Sequence, residues 1–411
     1  MGGTQLAIEY DRENGIYLPG ELVSGRIVAD FSSPKEIRGL RVKVVGEAKV
    51  RWTVKRGKSR TVYRGEENYF SSLFHLIGSD SGPTIELPAG HLVYPFSIQL
   101  PMGLPNSFEH KIGHIRYTIK ATFDRPWKFD HEVKAAFTIV SAYNLNERPQ
   151  AALSIHGNMQ KSFCCFCMGK GNLSAIISIP SSGFVPGQII PVTVECENNS
   201  TVEVEQIQVS LRQKLRFEAS SPYHRSKKVG SSVIKSQFNE PFANKSEEPV
   251  ILPLKVPALP PSNLEFCGII DLDYVLRVTM SFSGVHCDIH EDFPILIGTV
   301  PLYGSFDMYS PNVRVTPSPS APPLQNPADF TSTSFPGHSQ PSDTPSPPYP
   351  SQGDPRDLPP PSYEQCMYGV QSIKDAEESD YVQAVPYAPR YPVYNYDAAN
   401  TAPSAPMREK Q

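Results

Sequence analysis

The sequence predicts an all-β protein: two tandem antiparallel β-sandwich domains followed by a disordered, proline-rich tail. Three observations carry the prediction. Blocks of sequence recur in the same order at nearly constant separation, apolar residues within those blocks alternate with polar ones, and 22 of the 42 prolines fall after residue 300.

The repeat is the strongest of the three. "YLPGELVSGRIV" (17–28) matches "FVPGQIIPVTV" (184–194), with Pro19 and Gly20 aligned on Pro186 and Gly187 at a separation of 167. "PFSIQLPMGLPNS" (95–107) matches "PLKVPALPPSN" (253–263), with Pro101 against Pro257 at 156. "IRYTIKATF" (115–123) matches "LDYVLRVTM" (272–280), with Tyr117 against Tyr274 at 157. Collinear matches of this kind indicate a duplicated unit of about 150 residues, enough for a core in each copy.

Within the first copy, Pro19-Gly20 makes a turn that leads into a strand. "GEENYFSSLFHLIG" (65–78) lacks clean alternation, so a short helix or an irregular loop is expected there. Ile115, Tyr117, Ile119, Ala121 and Phe123 then share one face of a half-buried strand. "AYNLNERPQAALS" (142–154) reads as a link between the copies, and "KSFCCFCMGKG" leads into the second. There Ile190, Val192, Val194 and Cys196 line one strand face, and Ile207, Val209 and Leu211 another. The expected division is a first sandwich at 1–145, a linker with a cysteine cluster at 146–171, a second sandwich at 172–300 and a tail at 301–411.

The formal net charge of −4 hides a split, because the tail holds 12 acidic and 6 basic residues while the body is close to balanced. No global field favours nucleic acid. The tail has too little apolar surface to offset its ordering entropy, and disorder with local polyproline II character is expected. The N-terminus has no basic segment followed by an apolar run, no uncharged apolar stretch is long enough to cross a membrane, and the residue at position 6 is Leu where a myristoylation signal needs Ser or Thr. With seven cysteines, an odd number, a reducing cytosolic setting is expected.

Taken in order, "YLPGELVSG", the "NLNERP" linker, the "CCFC" cluster, "FVPGQ" and a Pro-Pro-x-Tyr tail resemble the α-arrestins, the arrestin domain-containing proteins. The resemblance covers about residues 5–300 and extends to the tail motifs. It implies arrestin-like N- and C-terminal sandwiches and a non-enzymatic adaptor. Such an adaptor links membrane receptor or transporter cargo to Nedd4-like HECT-type ubiquitin ligases through their WW domains, in the cytoplasm with recruitment to plasma membrane and endosomes. In "LPPPSYEQ" (358–365), Pro360 and Pro361 would present their rings to an aromatic-lined groove and Tyr363 would enter an adjacent pocket. "SPPYP" (346–350) and "YPVY" (391–394) each miss one element of that pattern. A second signal is Pro-Ser-Ala-Pro, at Pro319, Ser320, Ala321 and Pro322 and again at Pro403, Ser404, Ala405 and Pro406. This is the ligand type read by the ubiquitin-variant domain of ESCRT-I; the competing account is proline-rich composition.

The remaining signals are weaker. "KVRWTVKRGKSR" (49–60) has six basic residues and no acid. It reads either as a solvated hairpin face or as a contact of Lys55, Arg56, Lys58 and Arg60 with an acidic or phosphorylated cargo tail or an anionic leaflet. "RSKKVG" (225–230) is a smaller patch of the same kind. Cys164 and Cys167 form a C-x-x-C around Cys165, but no second pair follows at zinc-site spacing, so no metal and no cofactor are expected. Nucleophile elbow, phosphate-cradling loop and H-E-x-x-H are all absent from the sequence, which argues against an enzyme. A thiol-based redox regulator and an arrestin-fold subunit of a cargo-retrieval complex are the alternatives.

Overall fold

The computed structural model describes residues 4–165, 168–239, 249–304, 361–366, 372–374, 378 and 382–396. The first sandwich contains β1 (Thr4–Tyr10), β2 (Ile16–Tyr17), β3 (Leu22–Phe31), β4 (Lys35–Ile37), β5 (Gly39–Arg56), β6 (Ser59–Gly78), β7 (Ile85–Leu87), β8 (Gly90–Gln99), β9 (Phe108–His110), β10 (Gly113–Asp124) and β11 (His131–Ile139). One sheet has the order β1-β3-β8 and faces a second with the order β2-β11-β10-β5-β6, with β9 on β10 and a small β4-β7 pair at the end. Two short 3-10 turns, Leu145–Glu147 and Pro149–Ala152, make the link. The second sandwich contains β12 (Ile155–Cys165), β13 (Met168–Ile179), β14 (Gly183–Phe184), β15 (Ile189–Asn198), β16 (Val204–Ala219), β17 (Arg225–Phe238), β18 (Val250–Lys255), β19 (Ile270–Phe282) and β20 (Ile289–Ile297). Its sheets run β12-β13-β15-β18 and β14-β20-β19-β16-β17.

The duplication seen in the sequence is repeated bond by bond. The two Pro-Gly turns put Gly20 at φ +81 and Gly187 at φ +95, a backbone region that side chains disfavour. Gly20 N–H donates to Pro101 O and Gly187 N–H to Val256 O. The residue after each glycine closes its turn with its side chain: Glu21 accepts from Leu18 N–H and Gln188 from Val185 N–H, both at 2.8 Å. Tyr117 donates its hydroxyl to Pro105 O at 2.7 Å, and Tyr274 donates to Pro260 O at 2.9 Å. Ser107 and Ser262 each accept a backbone N–H, from Ile139 and Ile297. Each copy also places a two-residue strand parallel to its last long strand, β2 on β11 and β14 on β20. The inward residues of both copies form one continuous apolar cluster.

Three expectations need correction. Residues 65–78 are part of the long strand β6, not a helix or loop. Register shifts against β5, between Leu40 and Arg41 and between Gly46 and Glu47, bulge β6 and reverse the inward phase twice, which erases the alternation. The linker is shorter than 146–171: residues 155–165 form β12, which pairs with β13 inside the second sandwich, so Cys164 and Cys165 stand on a strand. Finally, the tail is not a free arm throughout. β22 (Val382–Ala384) pairs with β11, and β23 (Arg390–Val393), held to the body through Tyr391, pairs with β21 (Ser362–Gln365).

The stretch 382–396 acts as a strap. β22 runs parallel to β11, with Glu132 opposite Val382 and Lys134 opposite Ala384. On its other side the Gln383 amide bonds to Leu6 N–H and Thr4 O, so the strap closes the seam between the two sheets of the first sandwich. Tyr387 is buried and its hydroxyl reaches Thr138 Oγ1 at 3.0 Å and Phe137 O at 3.2 Å. Tyr391, fully buried, donates to Ser107 O at 2.7 Å. Tyr394 crosses to the second sandwich, donating to Thr299 O at 2.7 Å and from its N–H to Pro186 O. Upstream, Glu378 pairs with the buried Lys134 at 3.1 Å.

Candidate partner-binding surfaces

Of the Pro-Pro-x-Tyr residues, Pro360 lies outside the described residues, Pro361 is half-buried, and Tyr363 is 39% exposed. Ser362–Gln365 is an extended β-strand. Tyr363 lies within electrostatic reach of Arg12 and Tyr394. Arg12 is itself held by Glu21 at 2.8 Å and sits over the Tyr17 ring at 4.7 Å. Both Pro-Ser-Ala-Pro copies, Pro319–Pro322 and Pro403–Pro406, fall outside the described residues.

Lys55, Arg56, Lys58 and Arg60 are all exposed around the turn between β5 and β6, where Gly57 has φ +56. The structure brings the second basic run toward them. At the domain seam Arg64 and Ser221 exchange backbone hydrogen bonds, Tyr63 hydrogen-bonds Tyr223, and Arg225 donates to Tyr63 Oη at 2.9 Å while covering its ring. Beside this seam an open cleft of about 800 Å³ is lined by Lys49, Arg51, Arg64, Lys111 and, from the tail, Lys374 and Glu378. Two segments far apart in sequence thus meet at the Tyr63–Arg225 contact, which single-segment reading could not show.

His110 sits at the wall of that cleft, stacked on Phe217 of the second sandwich at 5.2 Å. Burial, then Lys111 and Lys227, push its pKa down to about 4, and its Nδ1 accepts from Ile112 N–H as a neutral ring does. The depressed folded value means the unfolded chain binds the extra proton between about pH 6.5 and pH 4. Stability is therefore expected to fall as pH drops through that window. His110→Phe should flatten the melting temperature against pH curve over the same range.

Cys164 and Cys165 end β12, and Cys167 lies outside the described residues. Among the described residues no three His, Cys, Asp or Glu side chains gather as metal ligands. Burial pushes the Cys196 thiol up to about 11 and raises that of Cys267, which holds both in the unreactive protonated form. Among the described residues no helix is long and apolar enough to cross a membrane. Sequence reading overlooked the loop between β10 and β11, where Trp127 and Phe129 are exposed beside Lys128. It also overlooked the strap tyrosines; their spacing at 387, 391 and 394 among prolines was the available signal.

The geometry agrees with comparisons to known proteins. Residues 6–146 match the N-terminal domain of arrestin (or S-antigen), and residues 169–302 match its C-terminal domain. Arrestin domain-containing protein 17 of Caenorhabditis elegans is 29% identical over 310 residues, spanning 72% of this chain and 70% of the relative. Human arrestin domain-containing protein 1 is 28% identical over 330 residues, spanning 80% and 72%. Mouse arrestin domain-containing protein 4 is 28% identical over 343 residues, spanning 78% and 80%. With both domain matches in order on two duplicated sandwiches, this chain belongs to the arrestin family, on its branch of arrestin domain-containing proteins or α-arrestins, and with them to the trafficking adaptors.

Proposed function

We propose that the chain couples membrane-protein cargo to a Nedd4-type ubiquitin ligase, with the body receiving cargo and the Pro-Pro-x-Tyr segment docking a WW domain. The observation that carries this reading is an extended, partly exposed Pro361–Tyr363 segment attached to an arrestin body. An extended peptide with a tyrosine loses little conformational entropy on entering an aromatic-lined groove. The basic residues of the β5–β6 turn and of the start of β17 fit an acidic or phosphorylated cargo tail or an anionic leaflet. Localisation follows from partners: cytoplasm, with recruitment to plasma membrane and endosomes. The Pro-Ser-Ala-Pro copies would recruit the ubiquitin-variant domain of ESCRT-I for sorting of the marked cargo.

Tyr363→Ala should remove an anchor worth on the order of 2 kcal/mol and cut WW capture at least tenfold. Undiminished capture of a WW-containing ligase, measured by affinity pulldown and cargo ubiquitination, would overturn the assignment. Exchanging Ala321 and Ala405 together for bulky residues should weaken recruitment of the ubiquitin-variant domain and leave WW capture unchanged. If recruitment is unaffected, these repeats reflect composition.

A further inference from the structure

We propose that the strap holds the WW ligand closed: the Ser362-Tyr363 end of the Pro-Pro-Ser-Tyr motif is paired along its backbone with β23, and a WW domain binds only when that pair opens. The inference rests on the reading of Pro360, Pro361 and Tyr363 as a WW ligand.

β21 and β23 form an antiparallel pair with Ser362 opposite Val393, Tyr363 opposite Pro392, Glu364 opposite Tyr391 and Gln365 opposite Arg390. The pair is sealed at both ends. Ser362 Oγ donates to Val393 O at 3.2 Å, and Cys366 N–H donates to Pro389 O at 2.9 Å with Cys366 itself buried. β23 is in turn fixed to both sandwiches through Tyr391 and Tyr394. A paired strand lies about 4.8 Å away, so the neighbouring backbone occupies the space that a groove wall needs on that side. The Tyr363 side chain, which a partner must receive in a pocket, is 39% exposed, so the closure lies in its backbone pairing opposite Pro392.

Binding that requires an open minor state is weakened by the fraction open. The strap therefore sets the apparent affinity for the ligase, and anything that dislodges it raises that affinity.

The test titrates one purified Nedd4-type WW domain against a synthetic peptide of residues 356–368, the full chain, and the full chain carrying Tyr391→Ser. The peptide should bind, the full chain should bind about tenfold or more weakly, and Tyr391→Ser should move the full chain back toward the peptide. In the unaltered chain, WW binding should speed hydrogen exchange at 382–384 and 390–394, a readout that does not depend on a variant folding. Equal affinities of peptide and full chain, or WW binding with strap protection unchanged, would overturn the proposal. A peptide that fails to bind removes the WW reading itself, and this inference with it.

Discussion

Arg116→Met is expected to lower the stability of the folded protein by about 3–5 kcal/mol. Arg116 and Glu109 are both nearly solvent-free and meet in a two-point pair at 2.7 and 2.8 Å. Burial already raises the pKa of Glu109, and only Arg116 opposes that effect. Without the arginine the carboxylate is left charged in an apolar setting, or must bind a proton. Its folded pKa then rises further above the unfolded value, so the deficit is present at neutral pH and shrinks as pH falls toward 5. Thermal unfolding at pH 7 and pH 5 checks both the size and the sign. Pairing Arg116→Met with Glu109→Gln should recover much of the loss, because no charge is then buried.

Tyr117→Ala and Tyr274→Ala should each cost about 3–5 kcal/mol, since both rings are almost wholly buried and their removal leaves cavities. The milder Tyr117→Phe and Tyr274→Phe remove the hydroxyl bonds to Pro105 O and Pro260 O, on the order of 1 kcal/mol each. Denaturant unfolding of the two pairs should give matching losses, because the same hydroxyl-to-proline-carbonyl bond recurs in both copies. Unequal Phe variants would mean that the duplicated geometry has diverged in energy.

Tyr117 and Tyr274 also show why so much of the fold was legible. Both stand on strands with uninterrupted alternation, and the proline-rich segments that accept their hydroxyls were visible as a second repeated block. Legibility failed where geometry broke the period. The bulges on β6 put Tyr69 and Leu76 out of phase, and the bulge near Phe163 on β12 did the same within a cysteine-rich stretch. The strap was lost to averaging: composition over 301–411 describes a solvated chain, yet Tyr387, Tyr391 and Tyr394 concentrate apolar area and hydroxyl donors within a few residues. Removal of 310–411 is accordingly expected to lower the melting temperature of the body, since that cut takes away the anchors on Ser107, Phe137 and Thr299. For the candidate sites, each basic run was readable alone, but their meeting at the Tyr63–Arg225 contact depends on how the copies join.

The two copies manage their outer strands differently. In the second sandwich β20 reads "IHEDFPILI", and the part beyond β14 carries Glu291, Asp292 and Pro294, residues that discourage another strand from adding. In the first, β11 reads "HEVKAAFTI", without proline and with Val133, Ala135 and Ala136 in its middle, and β22 covers it. Once the strap leaves, β11 presents unpaired N–H and C=O groups over 132–134, where Glu132 and Lys134 are its charged residues. Release of the strap would thus do more than free a peptide: it would bare a strand edge to which a second extended chain can pair.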